Sequence, residues 1–141
     1  MRGSIEGGNK YLALETGGGL FAIPICDIRG VVVGTQTMPS AVLPHMPDYV
    51  KCVAMVDKLL ITVITLPGER MDVQLLGKPI VILVHPEQTI GVLANSVRLI
   101  IIPEESISED RLAGTKSYAD GRNIFSIVDI KKLFRSMEYG V

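Results

Sequence analysis

The chain has 141 residues, 48% hydrophobic and 21% charged, a composition of globular type and single-domain length that excludes an intrinsically disordered chain. Fourteen basic against fifteen acidic residues give a formal net charge of −1, which argues against a polybasic surface for nucleic acid or anionic lipid. The first ten residues hold no apolar signal segment, and the longest apolar runs, Leu59 to Leu66 and Pro79 to Val84, fall far below the ~20 residues of a membrane helix. A cytoplasmic protein with no direct membrane insertion is expected.

In chain order, Lys10 to Thr16 and Leu20 to Ile25 read as strands joined by Gly17-Gly18-Gly19. No Lys-Ser/Thr follows these glycines, so they make a hairpin turn and not a phosphate cradle. Cys26 to Gly30 is expected to turn with Asp27 as its cap, and Val31-Val32-Val33 to resume a buried strand. Met38 to Pro47 carries three prolines, which reads as irregular structure. Tyr49 to Met55 and Leu59 to Leu66 form a second hairpin turning at Asp57-Lys58. Pro67 to Lys78 is a polar break in which Met71, Val73, Leu75 and Leu76 suggest a short helix.

Strands are then expected at Pro79 to Val84, Thr89 to Ala94 and Val97 to Ile102, ended by Pro103 and an acidic loop from Glu104 to Asp110. Thr115 to Ala119 and Asn123 to Val128 read as a hairpin around Asp120-Gly121, a type I′ signal. Asp129 is placed to cap a helix over Ile130 to Met137, whose Ile130, Leu133, Phe134 and Met137 share one face. That face should pack onto a barrel or across the junction of the two halves.

The two halves repeat. Tyr11 to Leu14 aligns with Ile80 to Leu83, Phe21 to Ile23 with Ile90 to Val92, and Ile28 to Val33 with Val97 to Ile102, all at a spacing of 69 residues. Leu60 to Leu66 falls on Ile124 to Ile130 at a spacing of 64. Two copies make a duplicated β-unit of about ten strands in two groups of five, and not a solenoid, which needs at least ~three repeats. Neither group is large enough to fold alone, so they should share an interface.

Several segments of this duplicated unit resemble the CheW-like domain, the family of chemotaxis adaptors and of the regulatory module of the histidine kinase CheA. They are Leu20-Phe21-Ala22-Ile23-Pro24-Ile25, Tyr49-Val50-Lys51-Cys52-Val53, Leu112-Ala113-Gly114 and the closing run from Gly121 to Leu133. The resemblance extends from Tyr11 to Phe134. It implies a mostly β fold of two intertwined five-stranded SH3-like barrels sharing a core, plus a C-terminal helix. It implies one CheW-like domain over 1–141, with subdomains at about 10–66 and 79–137 and no kinase or receiver segment.

By the same resemblance the chain is a non-enzymatic adaptor, without a cofactor, whose partners are a chemoreceptor cytoplasmic helix and the regulatory domain of a CheA-like kinase. It would be recruited to receptor arrays at the inner membrane face. The partner-binding residues are then Ile28, Gly30, Val32, Val53, Met55, Asp57 and Lys58, lining the third strand and the second hairpin. A further patch around Leu43, Met46 and Tyr49 would meet the kinase. The chain departs from the family pattern at Gly30, where an acidic residue is usual, and at Met55-Val56-Asp57-Lys58, where Asn-Leu-Arg-Gly is usual. It departs again at Cys52 and at Thr65-Leu66-Pro67. The alternative reading is a divergent CheW-like module that has lost receptor and kinase docking and serves another protein.

Other chemistry finds little support. Cys26 and Cys52 sit among apolar residues, which predicts free, buried and unreactive thiols. His45 and His85 lie in proline-bounded turns without ligand partners at metal spacing, and the acidic run lacks the alternating oxygen ligands of a calcium loop. An enzyme using Cys52 or His45, or a nucleic-acid-binding barrel, are the remaining rivals.

Overall fold

A computed structural model describes residues 9–36, 38–42, 47, 49–66 and 74–139. The first half contributes strands β1 (Lys10–Glu15), β2 (Leu20–Pro24), β3 (Ile28–Val33), β4 (Ser40–Ala41), β5 (Val50–Val56) and β6 (Leu59–Ile64). The second contributes β7 (Pro79–Leu83), β8 (Ile90–Leu93), β9 (Ser96–Ile101), β10 (Ile107–Asp110), β11 (Thr115–Asp120) and β12 (Asn123–Ile127), followed by helix α1 (Ile130–Tyr139). One six-stranded sheet runs β10-β11-β12-β2-β1-β9 and the other β3-β7-β8-β6-β5-β4.

These two orders are the same order. Each strand of one sheet has its counterpart six strands away in the other, so each half lends its first hairpin to the opposite sheet. The repeat seen in sequence is kept in register. Tyr11 faces Pro24 in the first hairpin, and 69 residues on Ile80 faces Leu93. The parallel pair Thr62–Ile90 joining β6 to β8 has its counterpart in Ser126–Phe21 joining β12 to β2. The β3–β7 pairing slips by a bulge between Ile28 and Gly30, which the β9–β1 pairing lacks.

Three apolar clusters follow from this weave. Strands β1, β2, β7 and β8 place Leu12, Leu14, Ile23, Val81, Leu83, Ile90 and Val92 between the sheets, in a central core shared by both halves. On their opposite faces each sheet wraps a core of its own. Ile80, Ile82, Leu93, Ile61, Val63, Cys52 and Ala54 fill the first, while Ala13, Ala22, Ile102 and Phe125 fill the second. Val32 of β3 and Ala54 of β5 lie far apart in strand order yet reach the same core, so the sheet curls around it into a barrel-like form. Gly91 is required by that packing: a β-carbon there would come within 2.4 Å of Ile80 Cγ2.

Helix α1 starts as its sequence predicts. Asp129 Oδ1 accepts the Lys132 N–H at 3.2 Å and its carbonyl accepts from Leu133 N at 3.0 Å, an N-cap contributing about 1 kcal/mol. Ile130 and Leu133 enter the central core. The Phe134 ring meets His85 of the second half edge-on at 4.6 Å, and the Tyr49 hydroxyl of the first half donates to the Met137 carbonyl at 3.0 Å. Of the two placements open for this helix, it takes the one across the junction.

The structure corrects several local expectations. The described residues form twelve strands and not about ten: Ser40–Ala41, inside the proline-rich stretch, pairs with β5, and the acidic Ile107–Asp110 pairs with β11. Among the described residues of the first stretch, Ser40 and Ala41 form the strand, and the acidic strand has one face in solvent where charge is free to sit. Val31 and Val33 are exposed, because β3 is an edge strand with only one face on a core. Asp27 lies within a 3-10 turn over Ile25–Asp27 and makes no side-chain cap. Cys26, in the same turn, is exposed, while Cys52 is buried; both thiols are free.

The two hairpin tips also differ from each other. Asp57 and Lys58 both take positive φ, the type I′ geometry, without a glycine. In the β11–β12 hairpin the two central residues are Gly121 and Arg122, and only Gly121 has positive φ. That is the type II′ arrangement and not the expected type I′. Leu75 and Leu76 are not helical; Leu75 fills the first barrel core, and Leu76 bridges to Gly34. Met71 and Val73 lie outside the described residues.

Candidate partner-docking surface

The face of the β3-to-β4 sheet that carries the central core is covered over β7 and β8 and at Ile64 of β6, with Ile28 and Val50 packed at its edge, and lies open beyond them. Register shows which side chains continue that face to either side. On β3, Val31 lies opposite Val81 of the central core, so Val31 and Val33 project on the same side. On the other wing Val53 pairs with Thr62 and Met55 with Leu60, alternating with the inward Cys52 and Ala54. Met55 is 41% and Leu60 59% exposed, and Ala41 of β4, opposite Val53, extends the patch.

The repeat supplies an internal comparison for this wing. The positions equivalent to Val53, Met55 and Leu60 are Ser117, Ala119 and Ile124, and those equivalent to Leu59 and Ala41 are Asn123 and Ser108. The same outward face therefore carries Val, Met and Leu on one hairpin and the smaller, less apolar set Ser, Ala and Ile on its twin, where Ile124 is also exposed. The fold alone does not demand Val53 and Met55 here, and the larger apolar set is the one suited to a partner's apolar face. At its tip Asp57 and Lys58 hold opposite charges in left-handed backbone, a conformation costing roughly 1–2 kcal/mol for a residue with a β-carbon.

The seven sequence-predicted residues fall into two groups. Val53, Met55, Asp57 and Lys58 stand together on the β5–β6 hairpin, with Val53 half-buried and the others exposed. Ile28, Gly30 and Val32 lie on β3, at the opposite end of the strand order, and the bulge divides them. Ile28 packs on the central core, whereas Val32 packs inside the first barrel. Gly30 lies opposite Ile82, and a β-carbon added there meets nothing within 4 Å, so a side chain fits. Sequence reading missed Val31, Val33, Leu59 and Leu60 as surface residues. An unbroken apolar run carries no alternation to separate an edge strand from a buried one, and the Asp57-Lys58 turn was the only signal that Leu59 and Leu60 flank a tip. Of the proposed kinase patch, Leu43 and Met46 lie outside the described residues, and Tyr49 is half-buried with its hydroxyl engaged.

The groups weighed for catalysis have structural tasks. Cys52 is 1% exposed in the first barrel core, and burial pushes its thiol pKa up. His85 Nδ1 accepts the Glu87 and Gln88 N–H groups at 3.0 Å each, which closes the β7–β8 turn. His45 lies outside the described residues. Among the described residues no group of three or more His, Cys, Asp or Glu could hold a metal ion, and no helix is long and apolar enough to cross a membrane.

The Asp27 carboxyl is displaced above its ordinary range. Partial burial and the nearby Asp129 carboxylate raise its pKa, and Lys131 only partly offsets them. A raised folded-state pKa means stability that is held below the unfolded value of about 3.9 and lost as pH rises through the folded one. Asp27→Asn should therefore raise the urea midpoint at pH 7 and leave it unchanged near pH 3. An equal gain at both pH values would show that the charge is not the cause.

In comparison with known proteins, the family model described as the CheW-like domain matches residues 10–138. Among solved structures, the scaffolding protein TtCheW from Thermoanaerobacter tengcongensis superposes with a TM-score of 0.68 at 19% identity, over 86% of this chain and 88% of that one. No curated protein sequence matches.

Proposed function

Because the chain belongs to the CheW-like domain family, we propose that it is a non-catalytic adaptor coupling a chemoreceptor's cytoplasmic helix to the regulatory domain of a CheA-like histidine kinase. The observation that carries this reading is the apolar outer face of the β5–β6 hairpin, set against its smaller and less apolar twin on β11–β12. An amphipathic partner laid on Val53, Met55 and Leu60 would bury them by its own apolar stripe. Asp57 and Lys58 at the tip would fix its register. The mechanism is geometric. A rigid body holding two partners at separate faces raises the effective concentration of each for the other, and no bond is made or broken. The similarly folded TtCheW is a scaffolding protein, and a scaffolding task for this chain agrees with such a role. Its place would be the cytoplasmic side of receptor arrays.

The departures at Gly30, Asp57 and Lys58 favour a second reading, a CheW-like module serving a different protein. Calorimetric titration separates the two. The adaptor should bind a receptor cytoplasmic hairpin or a kinase regulatory domain with a dissociation constant near ~1 µM, about −8 kcal/mol. Absence of binding to both at ~100 µM, a level weaker than about −5.5 kcal/mol, would overturn the adaptor reading in favour of the second.

A further inference from the structure

We propose that the open end of the second barrel binds a small zwitterion, an α-amino acid with an apolar side chain. In the β1–β9 ladder Arg98 lies opposite Ala13 and Ser96 opposite Glu15, so all four side chains stand on the barrel's inner face. A cavity of about 470 Å³ opens there, within the ~300–1,000 Å³ range of small-ligand sites. Ala13, Leu20 and Phe125 give it an apolar floor. Gly17 and Gly19 form part of the rim, beside Glu15, Ser96, Arg98 and Asn123.

Two opposite charges flank that floor. The Arg98 guanidinium lies over the Phe125 ring, 5.8 Å from its centroid, which anchors the group and leaves its N–H fork for a planar carboxylate. Among the described residues no carboxylate bonds to it. Glu15 Oε1 accepts the Ser96 hydroxyl at 3.0 Å, leaving the other oxygen for an ammonium group. Arg98 and Glu15 stand diagonally across the strand pair, roughly 7–8 Å apart at the backbone. A ligand carrying both charges close together matches them; a simple anion or cation would meet one favourable and one repelling group.

The duplication again supplies the comparison. By ladder register, the positions in the first barrel equivalent to Glu15, Arg98 and Asn123 are Val84, Gly30 and Leu59, while Arg29, which the 69-residue spacing sets against Arg98, sits in the bulge. At these ladder positions the first barrel carries no charge, whereas the second carries Glu15 and Arg98.

The test is an amide-shift NMR titration of the intact chain with L-leucine, L-leucinamide and 4-methylpentanoate. L-Leucine should shift Gly17, Gly19, Ser96, Arg98 and Asn123 with a dissociation constant on the order of 1 mM or tighter. The amide, which lacks the carboxylate, and the acid, which lacks the ammonium, should each bind at least ~10-fold more weakly, and so should L-leucine to Arg98→Ala or Glu15→Gln. Both substituted residues are exposed, so melting temperatures should stay in place. Three results would each overturn the proposal: no shifts at about 20 mM L-leucine, 4-methylpentanoate binding as tightly as L-leucine, or unchanged affinity in Arg98→Ala. None of them bears on receptor or kinase binding, so this site and the adaptor reading stand or fall separately.

Discussion

Leu14→Ala and Leu83→Ala, made separately, are each expected to lower the unfolding free energy by about 2–5 kcal/mol, and each to do so in one cooperative transition. The two leucines are equivalent positions of the repeat, both essentially without solvent exposure and both in the central core. Truncation removes transfer free energy and leaves a cavity that packing on both sides prevents from closing. Against a net stability of about 5–15 kcal/mol, either loss is a large share. The sharper expectation is the single transition. β1 comes from the first half but lies in the sheet of β9 to β12, so a defect at Leu14 weakens strands of the second half directly. Urea unfolding followed by far-ultraviolet circular dichroism and tyrosine fluorescence checks this. Two separate transitions, or a loss under about 1 kcal/mol, would mean that the halves stand independently.

Leu60→Lys and Met55→Asp are expected to weaken binding of the helical or kinase partner by at least ~10-fold while shifting the melting temperature little. Both side chains are exposed in the free protein, so folding gains little from them, whereas a docked partner would have to bury a charge without a counter-charge. Ala119→Asp on the second hairpin occupies the position equivalent to Met55 and should leave binding intact. Calorimetry on the three variants decides the matter. Equal losses for Ala119→Asp and Met55→Asp would remove the distinction between the hairpins, and wild-type affinity in Leu60→Lys would place the docking face elsewhere.

Much of the architecture was legible because a duplicated sequence is its own alignment. The 69-residue spacing matched strands correctly, and Asp129 with its apolar i, i+3, i+4 positions marked the helix. What escaped were features set by partners in space. Ser40–Ala41 and Ile107–Asp110 lack strand composition, and they are extended because β5 and β11 offer them an edge. The exposure of Val31 and Val33 depends on where β3 lies in its sheet, which no run of three valines announces. The bulge beside Gly30 changes the side to which the following residues point, so Ile28 and Val32 part company although two-residue spacing puts them together. For the docking surface, the hairpin and its turn could be read from the chain. Its apolar character stood out only once each residue could be set beside its structural twin.

The exchange of first hairpins has a consequence for ancestry and for handling the molecule. Two identical single-unit chains exchanging those hairpins would build this same woven object as a homodimer, and joining them head to tail converts mutual dependence into intramolecular folding. The present protein is in that sense a tethered pair. Tethering leaves each unit able to differ from its twin, and here one carries the greasier hairpin and the other Glu15 and Arg98 at its mouth.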